Sequence, residues 1–241
     1  MRQTLWYHID TAPIRCRSDV AGMVYRLFRR PSSDERYRFQ RSHSIMVAVG
    51  VAEQWSQIVR WLSVHAPTTG AALRTMALPE DVLDLEHELG VQIPDELFTW
   101  WSVCGGVSTA EFAEVIPPFY TPYGPREALE AWRKHRKLWL DTWERPDCDV
   151  EAGSAARSYH PAWVPFAFDG LGDDLVIDLR PGPLRGCVLE WDHEVCQLNG
   201  PEWTSVDAML AEVATALEHG SPVGHCQPAV TTDGRLDWRI R

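Results

Sequence analysis

No stretch of this sequence approaches the ~20 consecutive apolar residues that a membrane span requires, so no transmembrane helix is expected. The first 30 residues hold Arg2, Arg15, Arg17, Arg26, Arg29 and Arg30 without an uninterrupted apolar segment behind them. A secretory signal peptide needs that segment, so none is expected either. The same residues are Arg-rich without being clearly amphipathic, which suits a cytoplasmic protein better than a transit peptide. Cys-x-x-Cys pairs are missing: Cys16, Cys104, Cys148, Cys187, Cys196 and Cys226 stand at wide, irregular spacings. That pattern predicts neither a zinc ribbon nor a dense disulfide framework, and reduced structural thiols are the expectation in the cytoplasm. No internal repeat is present, and neither a collagen-like nor a broadly disordered composition fits.

What is there is a chain of 241 residues, 45% of them hydrophobic, enough for one large domain or two small ones with a buried core. Its charge is unevenly spread. Residues 1–45 hold nine Arg against four Asp/Glu, a net of +5 within a whole-chain balance of −11, so residues 46–241 carry −16. An acidic domain repels nucleic acid, whose capture depends on Lys and Arg neutralising phosphates. It attracts a basic protein and speeds the encounter through its long-range field, while plain solubility explains the same charge equally well.

Residues 1–45 read as a basic extension: a flexible, disordered arm or, if Met46 is the true start, mis-assigned upstream sequence. A patterned domain is expected over 46–220, followed by a loosely ordered tail over 221–241. Trp55, Ile58, Val59 and Leu62 mark one face of a first helix over about residues 52–64, ended by Pro67-Thr68-Thr69-Gly70. Pro79 opens a second helix, with Glu80 and Asp81 beside its positive end and Gly90 as its stop. Pro94 opens a third that Gly105-Gly106 ends. Pro125 opens a fourth, expected to run to about Trp143. Residues 107–124 read as loop with a possible short strand, and 145–160 as a polar loop. Val164–Phe168, Leu175–Leu179 and Cys187–Trp191 read as strands of an antiparallel meander, separated by turn sequences. Glu194–Leu198 is a possible further strand. Ser205 can cap a last helix that Gly220 ends. The fold class is α+β: an antiparallel-rich sheet of short strands packed against about five helices.

Three blocks of residues carry a resemblance. The first is Leu78-Pro79, Glu86, Leu89-Gly90, Ile93-Pro94 and Leu97. The second is Trp163-Val164-Pro165-Phe166, Gly172-Asp173, Leu175, Asp178, Gly186, Val188, Trp191, His193 and Glu194. The third runs from Ser205 through Gly220. In this order and spacing, over about residues 50–220, they resemble the SUKH superfamily (the Smi/Knr family). The chain departs from it at Cys104-Gly105-Gly106, where the family often has Asn-Gly. Most of these residues are fold grammar: prolines start helices, glycines stop them, and Gly172-Asp173 turns a hairpin. The resemblance implies a non-enzymatic protein-binding domain without a cofactor. In bacteria it implies an immunity protein that binds and neutralises a toxin, and in fungi a regulator of cell-wall assembly or signalling.

Catalytic and metal chemistry weigh less than structural explanations. Ser205 is better read as a helix cap than as a nucleophile, and Cys104 as a buried thiol at a helix end. Cys187, His193 and Cys196 match no standard zinc spacing. Asp169, Asp173, Asp174 and Asp178 lack the calcium-loop spacing and its terminal Glu. The expected site is therefore a protein interface. Twelve Trp supply large, stiff anchors, of which one or two are expected on the surface, and Trp100 and Trp101 are adjacent on one helix and so not both expected to be fully buried. The candidate residues are the acidic loop Asp141, Glu144, Asp147 and Asp149 with Trp139 and Trp143, and the hairpin edge Asp169, Asp173 and Asp174. The partner expected there is a basic toxin domain, not nucleic acid or a membrane.

Overall fold

Five short strands pair in chain order into one antiparallel meander, β1 (Thr121–Pro122), β2 (Trp163–Phe168), β3 (Asp174–Asp178), β4 (Val188–Trp191) and β5 (Pro201–Trp203). The structure, a computed structural model, describes residues 37–107, 112–139, 151–156, 158–195 and 200–241, with side chains from residue 49 onward. Six helices lie among the described residues: α1 (Tyr37–His65), α2 (Pro67–Ala72), α3 (Pro79–Leu89), α4 (Asp95–Val103), α5 (Pro125–Trp139) and α6 (Val206–His219). A separate hairpin, β6 (Cys226–Val230) and β7 (Leu236–Ile240), follows them. The α+β class is thus the observed one.

The helix ends follow their residue chemistry. Pro79 sits in the first turn of α3, where its missing N–H costs nothing, and Gly90 closes the helix at φ +70. The Glu86 carboxylate then accepts a hydrogen bond from the Ile93 N–H at 3.0 Å, fixing the turn into α4. The Ser205 hydroxyl accepts from the Ala208 N–H at 3.1 Å, capping α6, and Gly220 ends it at φ +63. At Gly106 the backbone has φ +83, and a side chain there would lie 2.3 Å from the Gly124 nitrogen, so two loops meet backbone to backbone. This is where the chain has Gly-Gly after Cys104.

Three expectations are corrected. Pro67 does not merely stop α1; it opens α2 in its own first turn. The first helix spans Tyr37–His65, longer than the expected 52–64, while residues 1–36 lie outside the described residues. After Trp191 the chain turns through 192–195, and the next strand among the described residues is β5; the rest of the expected Glu194–Leu198 strand lies outside the described residues. The C-terminal segment is an ordered hairpin instead of a loose tail. Leu236 and Trp238 alternate inward and are buried, and the Leu236 N–H donates to the Thr69 hydroxyl at 2.9 Å. Two inward apolar residues and docking on α2 offset the ordering cost that a free tail would not recover.

The sheet's core is aromatic. Trp100 lies edge-on to Trp55 of α1 at 4.8 Å and to Phe166 of β2 at 6.5 Å. Trp101, its neighbour, is equally buried, with its indole N–H on the Tyr123 carbonyl at 3.1 Å. Both are enclosed because α4 runs through the interior instead of along the surface. α5 packs on β2 and is held to α3 by Arg126–Asp81 at 3.1 Å and Arg133–Glu88 at 2.9 Å. Much of its basic face is thereby engaged.

A buried ion pair locks the segment before β2. Asp178 and Arg180 are both buried, with guanidinium Nη2 to carboxylate at 2.8 Å. Asp178 also accepts from the Gly153 N–H at 2.9 Å, and Arg180 donates to the Ser154 carbonyl at 2.8 Å. Each charge therefore has partners that compensate its loss of water.

Candidate functional site

The β2–β3 turn is built by one carboxylate. Asp169 Oδ1 accepts the N–H groups of Leu171, Gly172 and Asp173 at 2.7, 2.9 and 3.0 Å. A second turn, after β4, is built the same way: Asp192 Oδ1 accepts from Glu194 and Val195 at 2.8 and 2.9 Å. Asp173 clasps the two turns together, since its Oδ1 accepts the His193 backbone N–H at 2.9 Å and lies 2.7 Å from His193 Nδ1. That hydrogen bond raises the imidazole above its ordinary pKa. Gly172 makes the clasp possible. Its φ is +134, and a side chain there would come within 2.9 Å of the His193 ring.

Leu171 stands at the tip of this structure, 84% exposed. Phe112, 49% exposed, lies against Gly170, so closely that a side chain at Gly170 would meet its ring at 2.8 Å. Phe112 continues inward to Phe168 at 5.6 Å, which stacks on Tyr123 at 4.6 Å. The end of the sheet thus combines acidic turns with apolar side chains in water.

Of the expected hairpin-edge residues, Asp169 and Asp173 belong to this end and Asp174 does not. Asp174 is 5% exposed and faces inward, its Oδ2 2.5 Å from His135 Nε2. Burial pushes its carboxyl up, against the pull of hydrogen bonds from His135 and Tyr123. His135 in turn stacks on Tyr159 at 4.3 Å. Asp173 is the last residue of the turn and Asp174 the first of β3, so the turn holds one beside His193 while the strand carries the other against His135. Trp139 is half-buried at the end of α5, its ring edge-on to Trp191 at 5.4 Å, so it packs on the core instead of standing free as an anchor. Asp141, Trp143, Glu144, Asp147 and Asp149 lie outside the described residues. Among the described residues no Trp is exposed; the exposed apolar groups at this end are Leu171, Phe112 and Val195. Sequence reasoning passed over Leu171, Asp192 and Glu194 as site residues and weighed His193 only as a metal ligand. Its signal was a lone Leu between two turn glycines, and a charged Asp-His-Glu run after a buried strand.

The family comparison falls on these same residues. The sequence model of the SMI1 / KNR4 family (SUKH-1) matches residues 76–212, more than half of the chain. The chain belongs to the SMI1 / KNR4 family. It is also 25% identical over 197 residues to a protein of Schizosaccharomyces pombe (strain 972) named "Cell wall biosynthesis/cell cycle regulator smi1". That match covers 70% of this chain and 36% of the relative, so the chain spans about a third of its length. The SMI1 / KNR4 match takes in both acidic turns and ends inside α6, short of the C-terminal hairpin.

Within this SMI1 / KNR4 domain the candidate nucleophiles serve structure. The Cys104 thiol is fully buried and pushed up to about 12, far from the thiolate that chemistry needs. Ser205 spends its oxygen on the α6 cap. The four aspartates weighed as a calcium loop do not converge: Asp174 turns to His135 and Asp178 to Arg180. The group that could hold a cation among the described residues is Asp173, Asp192 and His193, with ligand atoms within 4.8 Å of one another. Its Oδ1 atoms already accept two hydrogen bonds each. Cys196 lies outside the described residues, so the Cys187, His193 and Cys196 set has no described geometry. Among the described residues no helix is long and apolar enough to cross a membrane.

Proposed function

We propose that this chain is a protein-binding domain without chemistry of its own, which neutralises a toxin by occupying it. The acidic, apolar-tipped end of the sheet carries this reading. It offers negative charge for attraction and exposed Leu171 and Phe112 for lasting contact. The inert settings of Cys104 and Ser205 support the absence of catalysis. Binding places the domain where the toxin would act inside the cell, in the cytoplasm, and needs no cofactor.

The test is to search the neighbouring genes for a secreted protein with a C-terminal toxin domain and to co-express that domain with this chain. Growth should be restored, and protection should saturate at one chain per toxin, as expected of a stoichiometric inhibitor. Protection by far less than one equivalent would point to catalytic destruction and overturn the reading, as would an absence of any complex.

A second reading is favoured by the name of the S. pombe relative: regulation of cell-wall assembly through protein contacts. It predicts altered wall composition on deletion of the gene in cells that meet no toxin.

A further inference from the structure

We infer that the tip of the β2–β3 turn is an apolar anchor for a basic protein segment, one that presents an apolar side chain flanked by Arg or Lys. This inference rests on the protein-binding reading above and adds where the contact is made and what chemistry it takes. Three apolar side chains share this end of the molecule. Leu171 is at the tip, Phe112 lies beside Gly170, and Val195, 64% exposed, sits in the turn clasped to the first through Asp173 and His193. A single exposed Leu is ordinary, but a group of apolar side chains with a polar rim marks a contact surface.

The rim decides what can cover them. Asp169, Asp173, Asp192 and Glu194 bring negative charge, and the one imidazole among them is held by Asp173. Arg235 reaches the Phe112 carbonyl at 3.4 Å, but its charge is matched by Asp233 at 3.3 Å. A partner that dries Leu171 must therefore bring cationic groups to the rim. An acidic partner or a nucleic-acid backbone would be repelled there. The turns are also stiff: five backbone N–H groups are tied to Asp169 and Asp192, so little ordering entropy is lost on contact.

The probe is a short peptide of alternating Arg and Leu, titrated into the 15N-labelled full chain and followed by NMR. Saturable shifts should concentrate at the amides of 170–173 and 192–195. Leu171→Ser should weaken binding about tenfold, the worth of burying one such side chain. Glu194→Lys should weaken it too, and both variants should keep the parent melting temperature because neither side chain is packed. An Arg/Ser peptide should bind more weakly for lack of the anchor, and a Glu/Leu peptide for lack of charge. Shifts centred on another face, unchanged affinity in both variants, or equal binding of the Glu/Leu peptide would overturn the inference. If both variants still protect cells from the toxin at one equivalent, this surface is wrong while the neutralising function stands. If the peptide binds at the turns but no toxin is neutralised, the function is wrong while the surface stands.

Discussion

Asp173 and Asp174 are adjacent in the chain and have opposite fates. Asp173 stays in contact with water and clasps two turns, while Asp174 is buried against His135. The same division separates the acidic end of the sheet from its interior, where Asp178 pairs with Arg180. Carboxylates at the turns spend their oxygens on backbone N–H groups and remain solvated. Carboxylates inside must each have a dedicated partner, because an unpaired buried charge costs far more than an exposed one. The first kind is free to meet another molecule, and the second kind holds the fold.

The largest expected effect breaks the interior side. Arg180→Ala leaves Asp178 buried without its partner and should destabilise the chain by about 3–5 kcal/mol, read from urea denaturation. Replacing both residues by apolar ones of similar size should cost much less, because no orphan charge remains. His135→Ala should cost about 2–3 kcal/mol by removing the main partner of Asp174 and the ring stacked on Tyr159, read in the same assay. On the surface side, Asp169→Ala removes the acceptor of three backbone N–H groups. Because those groups can turn to water, the loss should be about 1 kcal/mol, visible as a small drop in melting temperature.

A pH experiment sharpens the comparison further. Burial raises the Glu96 carboxyl above its ordinary value of 4.5. The folded state then holds that proton more tightly than the unfolded chain does. Stability contributed by this group is present at low pH and is lost as pH rises through the raised value. Glu96→Gln keeps an oxygen for the Asp207 N–H and should flatten this decline between pH 4.5 and neutrality, measured by thermal melts across pH. The smallest effect is expected at Leu171. Leu171→Ser should leave stability within about 0.5 kcal/mol, since the side chain is almost wholly in water.

The helix starts at Pro79, Pro125 and Ser205 and the stops at Gly90 and Gly220 were legible because capping acts within a few residues. The strands were legible because apolar runs between turn residues have few alternatives. The C-terminal hairpin was misread although Thr231–Asp233–Gly234 is a turn sequence between two alternating runs, because its stability comes from α2, which lies far away in the chain. Trp100 and Trp101 were misread because two adjacent side chains on a helix are both buried only when the helix is enclosed on two sides. The site was half legible. Asp169 and Asp173 stood out as turn residues, whereas Asp192 and His193 joined them only through pairing of β3 with β4.

The sequence by itself determined the family, the α+β class, the helix boundaries set by Pro, Gly and Ser, and the negative charge of residues 46–241. These depend on contacts a few residues long, or on composition. Only the tertiary structure decided which carboxylates face water. Strand register put Asp174 opposite Trp191 and under α5, and it brought His193 to Asp173 across 20 positions of chain. Register is a matter of which strand lies beside which, and no local propensity encodes it.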